Sequence, residues 1–228
     1  MDGKNKSATA WMSIIAVAVL LAFCSLLFII GDASTSFEIT ASPAASASPH
    51  QTQSQIDLII SANCISIDIF LENAKLYGLK TTPVVISQSG SVYKYGFPDS
   101  PAGGTDLLIS VGQTGLAESF TLTARLTPKP EKPEEESLIL MDLYQHEIEL
   151  YNSYLSWLED TFIALSQAFC IKTRLSYAGA LTMWHIASET IDDQKRRDSA
   201  HGAFIMEAYS DISDYCNIIT ISIFVSQD

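Results

Sequence analysis

The side chains able to do acid–base or metal chemistry gather in the last third of the chain. Asp142 and His146 stand four residues apart, His146 and Glu149 three apart, and His185 and Glu189 four apart. On an α-helix those intervals put both members of a pair on one face. Two helices that each offer a His and a carboxylate could close around a divalent metal, as carboxylate-bridged bundles do. Those bundles use Glu-x-x-His, whereas the order here is His-x-x-Glu, and any amphipathic helix produces the same intervals. His146, Glu149, His185 and Glu189 are thus metal candidates on spacing alone, and the expectation is that the chain carries no cofactor.

Nucleophilic chemistry finds no motif. No serine sits in GxSxG. Cys64 lies among alternating isoleucines, where a thiol is apolar and inert. Gly103-Gly104 and the pair Gly112 and Gly115 match neither phosphate-loop pattern and have no basic neighbour. A non-enzyme is the expectation.

Of the four cysteines, Cys24 falls in a long apolar run, leaving Cys64, Cys170 and Cys216. Three thiols allow at most one intramolecular bridge. Cys170 with Cys216 is the pairing put forward; the alternative is that all three stay reduced and act as small apolar residues. No CxxC knuckle is present.

The remaining candidates are aromatic. Tyr151, Tyr154 and Trp157 sit on or beside one helical stripe, and an exposed aromatic face is a contact surface. Helix packing is the competing use of such a stripe.

These residues need elements to hold them. Leu140, Tyr144, Ile148, Tyr151, Leu155, Leu158, Phe162, Leu165 and Phe169 recur at steps of three and four, which predicts one helix about 45 Å long. Ser137 is its expected N-cap. A second helix is predicted over residues 174–191 and a third over 200–215, where Phe204, Ala208, Ile212 and Tyr215 align. Ile219, Ile221, Ile223 and Val225 alternate as a terminal strand. Upstream, alternation predicts strands over 65–71 and 120–126, with shorter ones near 82–87, 92–95 and 106–111. Residues 72–79 read as a loop or helical turn. About six short strands with turns between them suggest a small antiparallel sandwich.

Two linkers divide these parts. Residues 32–54 are rich in Ala, Ser, Pro, Thr and Gln and read as a stalk. Residues 128–136 alternate Pro with charge and read as an extended spacer. Ahead of the stalk, WMSIIAVAVLLAFCSLLFII at 11–30 carries no charge and is long enough to span a bilayer as a helix. Lys4 and Lys6 precede it and no basic residue follows until Lys75, so the N-terminus is expected in the cytoplasm and the rest outside. A signal peptide cut after Ala33 is the rival; its apolar core would be unusually long.

The expected organisation is a cytoplasmic end (1–8), a transmembrane signal-anchor helix (9–31), the stalk (32–54), a β-rich module (55–127), the spacer (128–136) and a mainly helical module (137–228). The fold class is α+β: a single N-terminal transmembrane helix, a sandwich-like β module, then about three helices with a terminal strand. Residues 32–137 hold 12 acids and 6 bases, and residues 138–228 hold 13 and 5, so neither part suits nucleic acid. The functional expectation is a membrane-anchored surface protein working in structure, assembly or adhesion, through a protein partner or self-association. The alternative is an anchored enzyme or a ligand- or metal-binding sensor with its site in the helical module.

Overall fold

The computed structural model describes residues 53–101, 104–134, 137–212 and 216–226. The expected membrane helix and nearly all of the stalk lie outside these. Among the described residues no helix is long and apolar enough to cross a membrane.

Two short helices come first, α1 (Gln53–Asn63) and α2 (Ile67–Leu76). The second replaces the strand expected over 65–71. Ser66 caps it, its hydroxyl accepting from the Ile69 N–H at 3.4 Å. Asp68 in the first turn and Lys75 in the last suit the helix dipole. The side chains driven inside are Phe70 and Ala74, four apart, while the alternating Ile69 is half exposed. A local cap and a helical burial step outweighed a short run of alternation.

Four strands follow: β1 (Val84–Ser89), β2 (Val92–Gly96), β3 (Asp106–Val111) and β4 (Ala117–Leu126). Then come α3 (Leu138–Phe169), a 3-10 turn at Ile171–Thr173, and α4 (Tyr177–Asp193). Three strands end the order: β5 (Arg197–His201), β6 (Phe204–Ile212) and β7 (Asn217–Val225). The fold is α+β, as expected, but the strands form one antiparallel sheet ordered β1-β2-β3-β4-β7-β6-β5. Among the described residues the strands make this one sheet rather than a sandwich, with helices on the inner face that a second sheet would take.

The third helix, expected over 200–215, is instead the β5–β6 hairpin. Phe204, Ala208 and Ile212 are four apart, and four is both about one helical turn and twice the strand period. Met206 decides between them: it is fully buried beside Phe204 and Ala208, as only a strand allows. Gly202 makes the two-residue turn with φ of 59°, and Gly90 does the same between β1 and β2 with φ of 58°.

β7 lies between β4 and β6, paired from Ser119↔Phe224 to Leu126↔Asn217 and from Phe204↔Val225 to Ile212↔Asn217. The terminal strand was expected; its position joins the segments on either side of the 128–136 spacer in one sheet. Inside, Phe120 on β4 and Ile221 and Ile223 on β7 are fully shielded. Phe169, at the end of α3, meets Phe70 at 5.5 Å, Phe120 at 5.3 Å and Phe204 at 5.2 Å between ring centres. On the outer face the Thr121 and Ser222 hydroxyls share a hydrogen bond of 2.9 Å, and Lys94 pairs with Asp106 at 2.9 Å.

Residues 137–228 made alone should fail to fold as a cooperative unit, since β7 would lose its β4 partner and bare an apolar edge. Thermal melts followed by circular dichroism test this. A monomeric fragment with a sharp transition would refute it.

Candidate interaction surface

The helix α3 is 32 residues long, about 48 Å at 1.5 Å per residue. Ser137 occupies the N-cap with extended backbone, its carbonyl accepting from the Met141 N–H at 2.9 Å, though its hydroxyl makes no capping bond. Burial along the helix is uneven. No residue before Tyr151 is buried, so the first 13 residues, roughly 20 Å, stand clear of the core.

That uncovered length carries the same stripe as the covered part. Leu140, Leu143, Glu147, Leu150, Tyr154 and Leu158 follow one another at steps of three or four, which keeps them on one face. Tyr154 and Leu158 are in the core, but Leu143 is 53% and Leu150 59% exposed, and Leu138 and Ile139 at the tip are 84% and 80% exposed. The apolar face meant for a core thus continues past the point where the rest of the chain covers it.

A groove of about 690 Å³ opens where cover begins. Glu147, Leu150, Tyr151 and Tyr154 form its helix wall. Arg125 and Leu126, from the end of β4, and Pro128 and Pro130, from the spacer, form the other. Cys216 also lines it, just ahead of β7. The prolines hold the spacer extended, so this wall is made by backbone with little freedom.

Of the aromatic contact candidates, Tyr151 and Tyr154 are buried and Trp157 half-buried. The Tyr154 hydroxyl and Thr105 Oγ1 are 2.9 Å apart in a buried hydrogen bond. Its ring stacks on Trp157 at 6.0 Å, and Trp157 meets Phe97 edge-on at 5.6 Å. Burial raises the phenol pKa of both tyrosines, the nearby Asp192 adding to the effect at Tyr151. The expected aromatic contact face is therefore mostly internal packing. Aromatic bulk marked the strongest candidates in the sequence, but bulk also earns the deepest cover; the uncovered residues are the plainer leucines one to four turns earlier.

The His–carboxylate pairs remain on the surface. His146, Glu149, His185 and Glu189 are all exposed. Glu149 accepts from Gln145 Nε2 at 2.7 Å, and Glu189 accepts from Arg197 Nε at 3.3 Å. Among the described residues no group of three or more His, Cys, Asp and Glu is placed to hold a metal.

The expected Cys170–Cys216 bridge does not form. Cys216 lines the groove near Tyr154, while Cys170 sits 16 residues further along α3, about 24 Å away along the helix axis. A disulfide needs Cα atoms within about 7 Å. Cys64 and Cys170 are buried thiols, the first pushed up to about 12 and the second raised by burial, so both stay protonated.

A second concavity, of about 470 Å³, lies beside α1, with Ile56 and Ile60 on one side and Val111 and Glu118 on the other. Sequence reading passed over Glu118, which stands in a strand with nothing to distinguish it from a solvated carboxylate. Burial, then the nearby Asp57, raises its pKa above the usual carboxylate range. The Glu118 carboxylate lies against Gly112, where a Cβ would make it shift.

No family model, curated protein or solved structure matches the chain.

Glu118→Gln gives a test of this environment with a definite sign. A carboxyl whose folded pKa is raised destabilises the fold once it ionises, so the cost is absent below the unfolded value and grows as pH rises through the folded one. The variant should melt higher than the parent at pH 7 and together with it below about pH 4, the range where free glutamate protonates. A gain that persists in acid would refute the burial account.

Proposed function

We propose that this chain is a membrane-tethered extracytoplasmic interaction protein, non-enzymatic, serving assembly, adhesion or envelope structure. In this reading residues 9–31 anchor it with the N-terminus in the cytoplasm, residues 32–54 hold the folded part off the membrane, and the first half of α3 makes the contact. The observation that carries it is the uncovered stripe: Ile139, Leu143 and Leu150 exposed on a helix whose later turns use the same face as core. Leaving such a patch in water forgoes about 1.5–3 kcal/mol for each large aliphatic side chain that could be buried, and apolar patches of this kind mark contact sites. A long helix with leucines on one face at 140, 143 and 150 suits helix-in-groove recognition.

A second reading, an anchored ligand sensor, draws on the concavity at Glu118, where isoleucines flank a carboxyl of raised pKa. It offers a polar group in an apolar cleft, the usual make-up of a small-ligand site.

Two measurements on the full chain test the first reading. Protease added outside intact cells should remove the folded part and leave a small membrane fragment; protection of residues 138–228 would overturn the outward placement. Leu140→Glu with Leu143→Glu should shift the melting free energy by no more than about 0.5 kcal/mol per site, as surface changes do. The same pair should reduce the size of the complex extracted in mild detergent. An unchanged complex, or unfolding on the scale of a core substitution, would remove the contact role.

A further inference from the structure

We propose that the partner of this surface is a second copy of the chain, docked about a two-fold axis so that the first half of each α3 lies in the other copy's groove. The inference rests on the contact role of α3 proposed above.

The first reason is shape. One surface carries both an exposed apolar ridge, at Ile139, Leu140 and Leu143, and an apolar groove, at residues 147–154 and the spacer. A ridge and groove side by side on one molecule are what a self-complementary interface requires. Their spacing fits an antiparallel pair of helices. Leu140 lies seven residues before Glu147 and Tyr154 seven residues after it, about 10 Å each way. With the axis passing near Glu147, Leu140 of one copy reaches the Tyr154 end of the other, and Leu143 reaches Tyr151. Mutual docking covers ridge and groove together, which moves the buried area towards the roughly 800 Å² per partner that a stable interface takes.

Charge is the second reason, and it selects among occupants. Between Leu138 and Phe169 there is no Lys or Arg, and Glu147 is the acid on the stripe. On the facing wall Arg125 is exposed, and Lys129, between the lining residues Pro128 and Pro130, is exposed beside it. Among the described residues none of these three forms an ion pair, so each is available to a partner. A uniformly basic partner would meet Arg125 and Lys129, and a uniformly acidic one would meet Glu147. A second copy brings a carboxylate to each pair of cations, and the four cations allow the two Glu147 side chains to approach the axis.

The test uses the full chain in its membrane, with a photo-crosslinking amino acid in place of Leu143. Irradiation should give a product of twice the chain's mass, with the crosslink falling within residues 147–154 of the second copy. The same group at Glu149, on the opposite face of α3, should give none. Arg125→Glu with Lys129→Glu should lower the doubled product about tenfold, and adding Glu147→Lys should restore it. A crosslink to a protein of different mass would overturn self-pairing and leave the contact role standing. No crosslink at residue 143 would overturn both. A doubled product insensitive to the charge reversals would overturn the two-fold arrangement.

Discussion

The pairing of β4 with β7 is the constraint on which the rest of the structure depends. These are central strands of the sheet, and one of them comes from the very end of the described chain. Until β7 arrives, β4 has an open edge with Phe120, Leu122 and Ala124 on its inner face, and the β5–β6 hairpin is not joined to the rest of the sheet. Closing a contact over about a hundred residues costs loop entropy before any hydrogen bond is formed. The inner faces offset that cost with close-packed side chains. Phe169 sits at the middle of them, touching rings from α2, β4 and β6, so the end of α3 is fixed against both halves of the sheet.

Fixing α3 at that end explains why its other end is bare. The longest strand, β4, has ten residues and spans about 33 Å, whereas α3 runs about 48 Å. The residues of α3 that are buried begin at Tyr151, and its first turns are left in water. The loop holding Phe97 and Thr105 extends the cover as far as Trp157 and Tyr154. Beyond it the spacer's prolines, with the end of β4 and Cys216, make a wall with a groove in front of it. The surface proposed for contact is thus a product of unequal element lengths.

The two sheet edges are protected differently. On β5, Arg197 reaches back to Asp193 and Glu189, and just ahead of it Arg196 pairs with Glu207 at 2.5 Å. Charges of this kind discourage edge-to-edge pairing. On β1, Val84, Val85 and Ile86 are all exposed, and the ladder is interrupted between Val85 and Ser87. An irregularity there bends the strand and makes it a poorer template for another chain.

Patterns settled within a few residues were legible in the sequence. The stripe from Leu140 to Phe169, the strand at 120–126 and the terminal strand at 219–225 all rest on a repeated period, and each is present. Where two periods fit equally, only the tertiary structure decided. Phe204, Ala208 and Ile212 suit a helix or a strand; an open edge on β7 made them a strand. The alternation at 65–71 gave way because Phe70 had a place between Phe120 and Phe169 that only a helix at that position could fill. The candidate site divides in the same way. That α3 has one apolar face is written in its spacing, but which turns of that face are covered depends on where the sheet ends, and no residue on the helix encodes that distance. Tyr154 and Trp157 are therefore inside, and Leu140 and Leu143 outside, for a reason located in β4, β7 and the loop at 97–105.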